Sequence, residues 1–120
     1  MLRSWPEILR SYGDRHPGPP DAQFHEAFGA IENLIGYISA GPLAPALFGW
    51  TSMFDLCIQQ VDVEPFSGPF LRVSPQRDGT VEFRYHDTTI ASRQWSRVVP
   101  AEGVVGRFEA VLDQLRWIAG

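Results

Sequence analysis

The chain has 120 residues, of which 44% are hydrophobic and 20% charged, and a formal net charge of −4. That is the size and ordinary composition of one globular domain spanning residues 1–120, and it argues against disorder, collagen-like repeats and coiled coil. Cys57 is the single cysteine, which excludes an internal disulfide and a multi-cysteine zinc site.

No run approaches the roughly 18 uninterrupted apolar residues of a membrane-crossing helix. The start, MLRSWPEILRSYGDR, carries charges and a proline where a signal peptide has an apolar core, so a cytoplasmic protein without membrane attachment is expected. All ten basic residues are arginine, the usage of a GC-rich bacterial genome. Their placement is uneven. Residues 1–65 hold three arginines against eight acids, whereas residues 66–100 hold five against Asp78, Glu82 and Asp87. An acidic chain is poorly matched to the many phosphates of nucleic acid, so no nucleic-acid partner is expected, although a local basic face on an acidic body is compatible with this distribution.

Ser4 and Glu7 have capping-box spacing, Pro6 sits in the first turn, and Leu2, Trp5, Ile8, Leu9 and Tyr12 fall at helical spacing. A helix over 4–12 follows, stopped by Gly13. GDRHPGPP, residues 13–20, reads as a stiff connector. Phe24, Ala27, Phe28, Ile31, Leu34, Ile35 and Ile38 then form one stripe, predicting a helix over 21–39 that ends at Gly41 and Pro42. Residues 46–63 are apolar on both parities, as a covered central strand is, with Gly49 and Ser52 permitting an early bulge or bend. Gln59 and Gln60 mark the point where that strand meets solvent.

Pro65 to Pro69 read as a turn. Segments 70–76 and 81–86 flank Arg77-Asp78-Gly79 and predict a hairpin. A two-residue loop would place Leu71 and Val73 on the face of Glu82, Arg84 and His86. A three-residue loop with a left-handed Gly79 sets Val73 opposite Phe83 and Leu71 opposite Tyr85, and core burial selects it.

After a turn at 86–89, residues 90–99 read as a further strand in which Arg93, Trp95 and Arg97 alternate with Ser92, Gln94 and Ser96. Burying two unpaired arginines is costly, so the arginine-bearing side is expected to face outward. Pro100 and Glu102 open a last helix whose apolar face carries Val104, Val105, Phe108, Val111, Leu112, Leu115 and Ile118, with Trp117 on nearly the opposite side. The fold class is α+β: two N-terminal helices, an antiparallel meander of three to four strands and a C-terminal helix, with the helices mainly over one sheet face.

Chemistry-bearing patterns are sparse. His16, His25 and His86 stand in no metal-ligand spacing, so no metal is expected. Cys57 lies in an apolar run and reads as a buried, inert thiol. There is no G-x-S-x-G, no glycine-rich phosphate loop and no cofactor motif, so no catalytic residue and no cofactor are assigned. Asp55 interrupts the apolar strand. It could be an acid with a raised pKa if buried, but a carboxylate bonded to backbone N–H groups at a strand end or bulge is the expectation.

What remains is a sheet face displaying Arg72, Arg84, His86, Arg93, Trp95 and Arg97. Tryptophan and arginine dominate the energetics of many protein interfaces, and arginine stacks on rings while bonding carboxylates. The expectation is a non-enzymatic protein-binding module of bacterial immunity, adaptor or chaperone type, an analogy of size and charge only. The alternative is a small-molecule-binding protein or small enzyme with Phe48, Trp50 and Phe54 lining a pocket between helices and sheet. A homodimer with Trp95 or Trp117 at the contact is compatible with either.

Overall fold

The computed structural model describes residues 4–14, 22–52, 54–61, 68–87 and 90–117. The connector at 15–20, the turn residues 62–67, His16, Met53 and Ile118 lie outside the described residues. Three helices cover one face of a five-stranded antiparallel sheet, so the α+β architecture is as the sequence predicts. The elements are α1 (Trp5–Asp14), α2 (Ala22–Ala40), β1 (Phe48–Ser52), β2 (Asp55–Gln59), β3 (Phe70–Pro75), β4 (Thr80–His86), β5 (Trp95–Pro100) and α3 (Val104–Leu115). The strands pair in sequence order, β1 to β5.

α1 starts at the predicted cap. Glu7 N–H donates to Ser4 Oγ at 3.4 Å, and Ser4 Oγ donates to the Glu7 carboxylate at 3.0 Å. α2 buries the predicted stripe and lies against β3 and β4, while α1 lies against β1 and α3 against β5. Gly49 lets α1 approach this closely, since a Cβ there would fall 2.6 Å from Trp5 Cη2. The Trp5 indole N–H then reaches the Leu47 carbonyl at 3.0 Å, so a buried donor is satisfied.

The hairpin of β3 and β4 takes the three-residue loop. Val73 opposes Phe83, Leu71 opposes Tyr85, and Gly79 has φ 89°. Asp78 Oδ1 accepts the Thr80 N–H and hydroxyl at the turn. Cross-strand partners share a face. The helix-facing rows are therefore Gly49, Ile58, Leu71, Tyr85, Trp95 and Thr51, Leu56, Val73, Phe83, Arg97. The far face carries Trp50, Cys57, Arg72, Arg84, Ser96 in one row and Phe48, Gln59, Phe70, His86 in the next.

Four expectations are corrected. Residues 46–63 form two strands, not one. The chain reverses between Ser52 and Asp55, which pair, and this raises the strand count to five. The turn has no glycine or asparagine signal. Tertiary contacts hold it: the Phe54 ring meets Phe24 and Phe28 edge-on at 5.7 and 5.8 Å, and the Phe54 carbonyl accepts the Tyr12 hydroxyl at 2.6 Å. Gln59 is fully buried rather than at the solvent boundary, and its side-chain amide donates to the Val61 carbonyl.

Residues 91–93 form a 3-10 turn before β5, so Arg93 is not a strand residue. The buried Asp87 carboxylate organises that approach by accepting the Ile90 N–H at 2.7 Å. Finally, Trp117 does not project from α3. The helix ends in a left-handed Arg116 (φ 57°), Trp117 N–H bonds the Leu112 carbonyl, and the indole turns inward against Tyr85 at 6.3 Å. At 8% exposure it is closed to a partner in this fold, which removes it as a dimer contact.

Candidate functional site

The six residues expected on one surface divide among three places. Arg72, Arg84 and His86 stand together on the far face, Trp95 and Arg97 belong to helix-facing rows at the sheet edge, and Arg93 lies in the preceding turn. The correction follows from register. Tyr85 is a core residue, Trp95 is its partner, and a period of two carries Arg97 to the same side. Burial of that arginine is avoided because β5 is the last strand, so Arg97 remains exposed at the rim.

The far-face arginines are matched by acids. Arg72 Nε donates to Asp55 Oδ2 at 2.6 Å, and Arg84 Nε lies 3.5 Å from Glu82 Oε1. Asp55, at the start of β2, is therefore held by a guanidinium, with its side chain about 20% exposed. Beneath them, Cys57 packs with Trp50 and Phe70 in a small second cluster, and burial pushes its thiol pKa up to about 12. Burial in this apolar cluster favours the protonated, less nucleophilic form.

His86 stacks on Phe70, ring centroids 4.7 Å apart and 7° from parallel. Burial holds its pKa below the ordinary histidine value of 6.5, and Arg84 and Arg72 add to that by repulsion. The folded state disfavours the proton while the unfolded chain binds it below pH 6.5, so this contribution to stability is fully present above pH 6.5 and is lost as pH falls from there through the lower folded-state pKa. Urea midpoints measured from pH 7.5 down to 5.5 (ordinary histidine titrates near 6.5) should fall more steeply for the native protein than for His86→Phe, which keeps a ring on Phe70 and cannot titrate. Equal slopes would mean that His86 is not a source of the acid sensitivity.

The three aromatic residues named for the alternative expectation are not brought together. Phe48 and Trp50 lie in far-face rows, with Trp50 against Phe70 at 5.5 Å, whereas Phe54 packs among Phe24 and Phe28 on the helix side. Among the described residues, no three of His, Cys, Asp or Glu group as metal ligands would, and no helix is long and apolar enough to cross a membrane.

Among the described residues, a concave surface lies between β5 and α3. A groove of about 200 Å³ is lined by Trp95, Ser96, Arg97, Arg107, Val111 and Gln114. A second, more open one of about 270 Å³ lies on the other side of the helix flank, lined by Val99, Pro100, Gly103, Gly106, Arg107 and Ala110. Arg107 borders both, so the two depressions adjoin along α3. Among the described residues neither Arg97 nor Arg107 is ion-paired. Trp95 is half-buried and braced from behind by Tyr85 at 6.2 Å, which Trp117 braces in turn.

Arg107 was not among the residues singled out from sequence. It falls at the border of the apolar stripe of the last helix, between Val104 and Val111, and only the packing of α3 over β5 brings it to the same groove as Arg97. The available signal was a flank of small residues, Gly103, Gly106 and Ala110, at helical spacing beside it.

No family model, no curated protein and no solved structure matches this chain.

Proposed function

We propose that this protein is a non-enzymatic protein-binding module of the adaptor, immunity or chaperone kind, working in a bacterial cytoplasm, and that it meets its partner at the β5–α3 groove. One observation carries the reading: Arg97 and Arg107 share a groove with Trp95 and have no acidic counterpart among the described residues. Within a fold, two neighbouring cations are ordinarily neutralised from the chain itself, as Arg72 and Arg84 are here. An unneutralised pair beside an indole is suited to charge supplied by another molecule. The acidic balance of the chain and its lysine-free composition are in keeping with the proposed setting.

The test is quantitative capture from the cells of its source at low and high salt, with wild type and an Arg97→Glu, Arg107→Glu variant side by side. A partner held by wild type and released by the charge reversal is the expected result. Absence of any captured protein at either salt, with light scattering showing a monomer at two concentrations, would overturn the reading. If scattering instead shows a dimer that the charge reversal dissolves, the partner is a second copy of the chain.

A further inference from the structure

We infer that the β5–α3 groove receives an extended, acidic segment of a partner protein, about five residues long, with a carboxylate between Arg97 and Arg107. The inference rests on the protein-binding reading and adds the chemistry and length of what binds. Three features of the groove support it.

The first is charge. Arg97 and Arg107 line one groove that no acid lines, and Arg107 also lines the adjoining one. A carboxylate accepts paired N–H bonds from a guanidinium in a fixed plane, and the groove offers two such donors. Nucleic acid is a poorer match, because its affinity grows with the number of phosphates neutralised and a chain of net charge −4 offers only this pair here.

The second is length. The lining runs along α3 from Gly103 to Gln114. At the rise of an α-helix that is roughly 16 Å, which roughly five extended residues would span. The outer edge of β5 pairs with no strand among the described residues, so a segment lying there runs beside backbone groups that the sheet leaves open.

The third is shape. Beyond Arg107 the wall is Gly103, Gly106 and Ala110, and a Cβ added at Gly106 would meet nothing within 4 Å. This depression has room for backbone and small side chains, while the one at Trp95 presents a half-buried ring. The preferred segment therefore carries its acid near the middle and an apolar residue at the Trp95 end.

The probe is capped hexaglutamate, titrated against the intact protein and followed by tryptophan emission and calorimetry. Trp5, Trp50 and Trp117 are buried, so Trp95 dominates any surface-dependent change. Saturable binding is expected at about 0.01 M salt and should be largely lost at about 1 M. Arg97→Gln and Arg107→Gln should each weaken it about tenfold or more. Gly106→Leu, which places a side chain in the more open depression without touching the core, should weaken it as well. Absent binding at low salt, binding indifferent to these substitutions, or equal binding by inorganic phosphate or a DNA duplex would overturn the inference. Should a cellular partner be captured equally by wild type and by Arg97→Gln, Arg107→Gln, the acidic segment is overturned while the protein-binding reading stands.

Discussion

Phe28→Ala should lower the free energy of unfolding by about 3–5 kcal/mol, read as a fall in urea midpoint at unchanged slope. Phe28 is fully buried and is a meeting point between layers. Its ring stacks on Tyr12 of α1 at 4.4 Å and meets Phe54, in the turn joining β1 to β2, at 5.8 Å. Truncation removes apolar burial and leaves a void that two elements border, and close-packed neighbours relax into such a void only in part. The loss should extend to Tyr12, whose hydroxyl donates to the Phe54 carbonyl and depends on the stacked ring to hold its position. Phe24→Ala, at a half-buried ring on the rim of the same group, is the comparison and should cost less. If the two losses are equal, the aromatic group does not join α1 and α2 to the first hairpin in the manner described.

The second large effect is expected at Trp117. Trp117→Ala should cost about 3 kcal/mol or more, and it should also alter the groove from behind. Burial of the indole against Tyr85 offsets the left-handed backbone of Arg116, a conformation that costs a non-glycine residue about 1 kcal/mol. Without the indole the last turn loses its reason to close, and the Trp117 carbonyl that accepts the Gln60 amide at 3.1 Å shifts with it. Tyr85 then loses one of the two rings that brace it, the other being Trp95 in the groove. The measurement pairs a thermal melt with acrylamide quenching. Lower stability with increased accessibility of the remaining tryptophans is the expected pattern. A destabilised protein with Trp95 quenched as before would separate the stabilising role of Trp117 from any role in shaping the groove.

The candidate site was partly legible in the sequence. Arg72, Arg84 and His86 do share a face, because the loop between β3 and β4 and the burial of Val73 and Phe83 together leave one register for that hairpin. The same logic misplaced Trp95 and Arg97. Charge burial was the criterion used to orient β5, and it holds for a central strand. At the edge of a sheet an arginine can lie on the core side and still reach water, so the criterion no longer discriminates there. Arg107 was missed for a related reason: on an isolated helix, a polar side chain at the border of the stripe is indistinguishable from a solvated one.

Local chemistry determined the helices and the second hairpin. Periodic burial over α2 and α3, the Ser4–Glu7 cap and the left-handed Gly79 each specify a conformation through neighbours in the chain, and so did the exclusion of a disulfide by a lone Cys57. Tertiary structure decided three other matters: the reversal at Ser52–Asp55, the inward turn of Trp117 and the placing of Arg97 and Arg107 on one groove. In each of these the deciding contact joins elements distant in sequence, through Tyr12 and Phe28 for the first, Tyr85 for the second and the packing of α3 over β5 for the third. Such contacts have no local periodicity to announce them, because their energy comes from surfaces that meet only once the chain has folded.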